Sequence, residues 1–149
     1  MISSQNQTFL SFVLNNDTYA IPVTKLLEVL EYTEIVPSPE LTKLIVGTLE
    51  YRSDIIPVFE TRTKFALPKR NTDQKYVIIV LEIVVGNQKY IVGAMVDSVK
   101  DVMQIQSKDI KPMPLMTSKF DAGYLKQIVS IDNRFIMILE PDNVFSELE

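Results

Sequence analysis

The sequence predicts a mainly β protein, with roughly nine or ten short strands and two helices arranged as barrels or a sandwich. Three observations carry that expectation. Short apolar or β-branched runs recur between polar turn pairs such as Asn15-Asn16, Gly86-Asn87 and Asp132-Asn133. Tyr76 to Val85 is almost wholly apolar, as expected of a strand covered on both faces. Three hairpins end alike: a polar turn, an apolar return strand, then Glu60, Asp97 or Glu140. That repetition hints at a duplicated barrel, but generic hairpin grammar explains it as simply and is the preferred reading.

Residues 1 to 7 are polar and read as a flexible N-terminus. Thr8 to Leu14 is rich in aromatic and β-branched residues and reads as a strand. Asn15, Asn16 and Asp17 turn the chain, and Thr18 to Ile21 returns. Pro22 ends that strand and can open a helix. Val23, Leu26, Leu27 and Leu30 fall at i, i+3, i+4 and i+7, so the spacing predicts a helix over Val23 to Glu31. Tyr32 to Val36 reads as a short strand, and Pro37 and Pro39 enforce an extended loop.

Leu44 to Tyr51 and Asp54 to Phe59 form a hairpin whose turn carries Arg52 and Ser53. Thr61 to Phe65 reads as a helical turn, and Leu67 to Gln74 as a polar connector. Tyr76 to Val85 pairs through Gly86-Asn87 with Lys89 to Val96. Asp97 to Asp101 reads as a turn or short helix, and Val102 to Ile105 as a strand. Gln106 to Gly123, with Pro112 and Pro114, reads as irregular. Tyr124 to Ile131 and Arg134 to Leu139 give the last hairpin. Pro141 then opens a helix over Asp142 to Leu148, with Val144, Phe145 and Leu148 as its apolar stripe.

Composition narrows the chemistry. The 149 residues suffice for one domain or two small fused halves. A net charge of -4 argues against a broad nucleic-acid-binding face. With no cysteine and no histidine, thiolate metal sites, thiol nucleophiles, serine–histidine pairs and the commonest general base are excluded. The glycines at 47, 86, 93 and 123 build no phosphate-binding motif. The start has no basic-then-apolar signal-peptide pattern, and no run is long enough to span a membrane. A cytoplasmic protein without cofactor or metal is expected.

Two arrangements remain as enzyme candidates. Thr61 and Lys64 have the spacing of a lysine-activated hydroxyl, although a charged solvated segment is the simpler reading. Asp97 and Asp101 would share a face of a helix and form a carboxylate pair. The simpler account of Asp97 is a turn cap that accepts a free N–H. Glu28 and Glu31 read as solvated. Arg52 has Glu50, Tyr51 and Asp54 beside it, and Arg and Tyr in a projecting turn are residue types favoured at protein contacts.

The order of these features resembles the CheW-like domain of bacterial chemotaxis coupling proteins. Phe9, Phe12 and Leu14 match its opening strand, Tyr19-Ala20-Ile21 the next, and Leu26, Glu28 and Val29 the segment after it. Pro37 and Pro39, then Gly47, Arg52, Pro57, Val58, Glu60 and Arg62, follow the family's proline-rich loop and arginine hairpin. Met95, Val96, Asp97, Val99 and Val102 match a later strand pattern, Ile110 and Pro112 an isoleucine–proline pair, and Tyr124-Leu125 with Arg134 to Leu139 the closing hairpin. The match spans about Phe9 to Leu148, and its specificity lies in the collinear order. There are departures. Ser53 stands where the family has glycine, Glu50-Tyr51 replaces Asn-Leu, and Lys126, Gln127 and Val129 replace glycines.

The resemblance implies two packed SH3-like five-stranded β-barrels within a single domain over residues 8–149. It implies a non-catalytic adaptor that bridges chemoreceptor cytoplasmic tips and the regulatory domain of the histidine kinase CheA. Leu26, Glu28, Gly47 and Arg52 fall at family partner-binding positions. An adaptor of a parallel pathway, such as surface motility or development, is the nearest variant. A small β-barrel enzyme or ligand-binding protein using Asp97 and Asp101 is the alternative from another class.

Overall fold

The computed structural model describes residues 7–31, 33–37, 44–71, 74–111 and 123–146. Its strands are β1 (Gln7–Leu14), β2 (Asp17–Pro22), β3 (Leu26–Glu31), β4 (Val36–Pro37), β5 (Ile45–Tyr51), β6 (Asp54–Glu60), β7 (Val77–Val85), β8 (Gln88–Val96), β9 (Ser98–Ile105), β10 (Ile110–Lys111), β11 (Leu125–Ile131) and β12 (Arg134–Leu139). Two single-turn helices, α1 (Thr61–Lys64) and α2 (Pro141–Val144), follow β6 and β12. The strands form two six-stranded sheets, ordered β10-β11-β12-β2-β1-β9 and β3-β7-β8-β6-β5-β4. Each sheet has five strands of six or more residues and a sixth of only two. The five-stranded units expected from the sequence are therefore present, each extended by one short strand.

Three apolar clusters organise the molecule. Leu49, Ile56, Val58, Ile78, Val80 and Met95 fill the inside of the second sheet. Phe9, Ala20, Ile105, Val129, Ile136 and Ile138 fill the first. The largest cluster lies between the sheets and takes Leu10, Phe12, Tyr19 and Ile21 from one, and Ile79, Leu81, Ile83, Val92 and Val96 from the other. The unbroken apolar run of β7 follows from this. Ile78 and Val80 face one cluster and Ile79, Leu81 and Ile83 the other, because successive side chains of a strand point to opposite faces.

The two halves of the chain exchange hairpins. The β1–β2 hairpin joins β9 to β12, while β7–β8 joins β3 to β6. β2 lies parallel to β12, and β8 lies parallel to β6. The Glu60 N–H donates to the Leu44 carbonyl at 2.9 Å, and in the other sheet the Glu140 N–H donates to the Tyr124 carbonyl at 2.8 Å. Such matched order, direction and hydrogen bonding goes beyond generic hairpin grammar and favours the duplicated reading.

The helix expected over Val23 to Glu31 does not form. Only Val23–Lys25 makes a 3-10 turn, and Leu26 to Glu31 is β3, antiparallel to β7. A helix this short is marginal by itself, and the exposed edge of β7 offers a ladder of backbone hydrogen bonds instead. A register shift between Leu26 and Glu28 lets Leu26 and Val29 pack on the central cluster while Leu30 reaches the inner one. This irregularity imitates helical spacing. The turn or helix expected over Asp97 to Asp101 is likewise strand from Ser98 onward. Thr33 to Ile35 has no regular structure. Tyr32, Pro39, Pro112, Pro114 and Leu148 lie outside the described residues.

One polar side chain repairs a defect in β1. The pairing of β1 with β9 shifts register between Leu10 and Phe12. The Ser11 hydroxyl fills the gap, donating to the Asp101 carbonyl at 3.1 Å and accepting its N–H at 3.0 Å. Ser11 is buried, so removing its hydroxyl leaves two backbone groups of a part-buried pair without their partner. Ser11→Ala is expected to destabilise the fold by about 1–3 kcal/mol, read as a lowered denaturant midpoint at unchanged slope.

Candidate interaction surface

The β5–β6 hairpin turns on two residues, Arg52 and Ser53, with φ of 50° and 72°. Both are left-handed, as the right-handed twist of a two-residue hairpin requires. Three other hairpins do the same with Asn15-Asn16, Gly86-Asn87 and Asp132-Asn133. Glycine lacks the Cβ that clashes there, and asparagine and aspartate bond locally, whereas other residues carry a cost of about 1–2 kcal/mol. The glycine missing at Ser53 therefore has not changed the turn; it has left strain in it.

The turn presents its side chains outward. Arg52 stacks its guanidinium 5.0 Å from the centre of the Tyr51 ring, and the Tyr51 side chain descends into the inner core. Arg52 Nη2 comes within 4.0 Å of Glu28 Oε1, with side chains 71% and 46% exposed. An ion pair this long and this exposed adds at most about 1 kcal/mol. It does report the curvature of the sheet, since β3 and β5 are separated by β7, β8 and β6. In a flat sheet they would lie about 19 Å apart.

The four candidate contact residues thus divide. Arg52 and Glu28 are exposed and adjacent. Leu26 is half-buried and packs on the central cluster, while its neighbour Leu27 is exposed. Gly47 lies under β4, where an added Cβ would collide with the Val36 carbonyl oxygen and sit 2.6 Å from Ile35 Cγ2. Its lack of a side chain lets two strands approach. Sequence reading missed Ile55, which is 69% exposed beside the turn. Strand alternation could have found it, because Ile56 and Val58 face the core and Ile55 must face away.

The alternative built on Asp97 and Asp101 fails on geometry. Both lie near or on β9 rather than a helix, and four strand residues span about 13 Å. Asp101 is exposed and engages Ser11 only through its backbone. A cavity of about 240 Å³ is lined by Asp97, Glu31, Lys75 and Tyr76 but not by Asp101. Asp97 is already committed to Arg62, Arg70 and the Asn15 N–H, at 2.7, 2.6 and 2.8 Å. It does accept a free N–H, as a cap would, but from a turn on the other sheet. Burial pushes the Asp97 carboxyl upward, but the hydrogen bonds from Arg62, Asn15 and Arg70 outweigh it and hold the group below the usual carboxylate range. Thr61 and Lys64 do not form a dyad either. The Thr61 hydroxyl is buried without a hydrogen bond, and the Lys64 ammonium lies 5.0 Å from the centre of the Tyr124 ring. No group of three or more metal-ligating side chains occurs among the described residues, nor a helix long and apolar enough to cross a membrane.

Two curled sheets share a core and present an exposed charged hairpin at the β5–β6 turn. Comparison with known proteins gives the family. The CheW-like domain model matches residues 8–149. The Rhizobium meliloti chemotaxis protein CheW is 22% identical over 148 residues, covering 99% of this chain and 93% of the relative. The Klebsiella aerogenes chemotaxis protein CheW is 29% identical over 143 residues, covering 96% and 84%. The crystal structure of scaffolding protein TtCheW from Thermoanaerobacter tengcongensis superimposes with a TM-score of 0.82 at 28% identity, covering 97% of this chain and 95% of that one. The chain belongs to the CheW-like domain family, a family of non-catalytic chemotaxis adaptors.

Two outcomes follow from the geometry. Ser53→Gly is expected to raise stability by up to about 1 kcal/mol by relieving the left-handed strain, seen as a higher Tm. Asp97 has a folded-state pKa below its unfolded value, so its contribution is intact above about pH 4 and is lost as pH falls below that. Asp97→Asn should flatten the stability-against-pH curve in that acid range, measured by urea unfolding.

Proposed function

We propose that this chain works in the cytoplasm as the adaptor between chemoreceptor helical tips and the regulatory domain of the histidine kinase CheA. It transforms nothing itself; it is held between two partners. The observation that carries this reading is the Arg52-Ser53 turn. Left-handed backbone at two exposed non-glycine residues, with only the Tyr51 stack and a long ion pair set against it, supports a contact role for this turn. Arg52 and Glu28 supply opposite charges that fix register and orientation on a partner. Leu27 and Ile55 supply apolar area beside them, and Leu26 and Gly47 shape the strands from beneath. The family relationship and the names of the relatives support chemotaxis as the setting.

Co-sedimentation with receptor-bearing membranes and CheA tests it. The wild-type chain is expected to pellet with both, and Arg52→Asp to weaken kinase binding at least about tenfold, equivalent to about 1.4 kcal/mol. If the wild type joins neither, the reading is wrong. Capture by a diverged kinase in place of CheA would move the same adaptor role to a parallel pathway, a variant that the Glu50-Tyr51 and Ser53 departures keep in view.

A further inference from the structure

The chain leaves one sheet for the other at two points, and the two are built alike. β2 passes to β3 through Val23–Lys25, and β8 passes to β9 through Asp97. At each, a charged crossover residue meets the second residue of a single-turn helix. Asp97 holds Arg62 of α1, with Nε to Oδ1 at 2.9 Å and Nη2 to Oδ2 at 2.7 Å. Lys25 holds Asp142 of α2, with Nζ to Oδ1 at 2.9 Å and to Oδ2 at 3.0 Å. The signs are exchanged between the two sites.

Each pair also reaches across the sheet boundary through its carboxylate. Asp97 accepts the Asn15 N–H from the β1–β2 turn of the first sheet at 2.8 Å. Asp142, which follows β12 of that sheet, accepts the Val84 N–H of β7 in the second at 2.9 Å. Arg70 closes over the first site from the connector after α1. Its guanidinium bonds Asp97 Oδ1 at 2.6 Å and Glu60 Oε1 at 3.0 Å, and its side chain is buried.

Apolar contact in the central cluster holds the sheets together but has no direction. Paired charge-assisted hydrogen bonds do. Turning one sheet on the other could keep most apolar area in contact, but it would break the Asn15 N–H bond to Asp97 and the Val84 N–H bond to Asp142, which the ion pairs hold in place. We propose that these two ion-paired crossovers are latches that fix the angle between the sheets, with Arg70 a positioning residue that locks the first. The outer surfaces then keep a constant mutual geometry whichever partners dock, so the latches stand or fall apart from the adaptor reading.

The chain has no cysteine, so a Lys89→Cys/Lys126→Cys pair can be spin-labelled without background. These exposed positions lie on β8 and β11, one in each sheet. A single narrow inter-label distance is expected in the parent. Arg70→Met and Lys25→Met should each broaden that distribution about twofold or shift it, with amide exchange inside each sheet unchanged, and Arg70→Lys should restore most of the parent width. Distributions that match the parent, with only Tm lowered, would overturn the proposal. If Arg70→Met fails to fold, Lys25→Met at the more exposed latch decides alone, and an unchanged distance there is fatal.

Discussion

Burial of β7 on both faces is the constraint from which the architecture follows. A strand carrying Ile78 and Val80 on one side and Ile79, Leu81 and Ile83 on the other has to be covered twice. One sheet curled on itself covers only one side. The second side requires another sheet, and β1 and β2 supply it, with Phe12, Leu14, Tyr19 and Ile21 facing the same cluster. The apolar clusters inside the two sheets are small. Much of the burial lies between the sheets, so neither unit has its full apolar complement without the other.

Hairpin exchange makes that dependence covalent. Each half of the chain places one hairpin in one sheet and the rest in the other, so the two sheets cannot part without unthreading strands. Polar chemistry gathers where the chain crosses. Arg62, Arg70, Glu60 and Asp97 balance two positive charges against two negative ones in a largely dry setting. Buried ion pairs add little net stability over apolar packing of the same volume. Their hydrogen-bond geometry is specific, which suits a junction that must fix direction.

The exposed surface obeys a different logic. Three hairpin turns use residues suited to left-handed backbone, and the fourth uses Arg52 and Ser53. The Arg52–Glu28 pair is long and solvated, so the stack of Arg52 on Tyr51 is the main local contact set against that strain. Strained non-glycine backbone of this kind is found more often at functional sites than elsewhere on a surface.

The sequence by itself determined most of the strands, the turn positions, the doubly covered β7 and the absence of thiol and imidazole chemistry. These follow from period-two patterning, turn chemistry and composition, all of which are local. Family membership was legible in the collinear order of weak motifs. Tertiary structure alone decided that Leu26 to Glu31 is a strand, since the free edge of β7 overrode a spacing that fits a helix equally well. It also decided that Asp97 joins Arg62 from 35 residues away, and that Lys25 joins Asp142 from 117 away. Pairings at such separations leave no periodic trace, because only the folded path of the backbone brings the charges within reach.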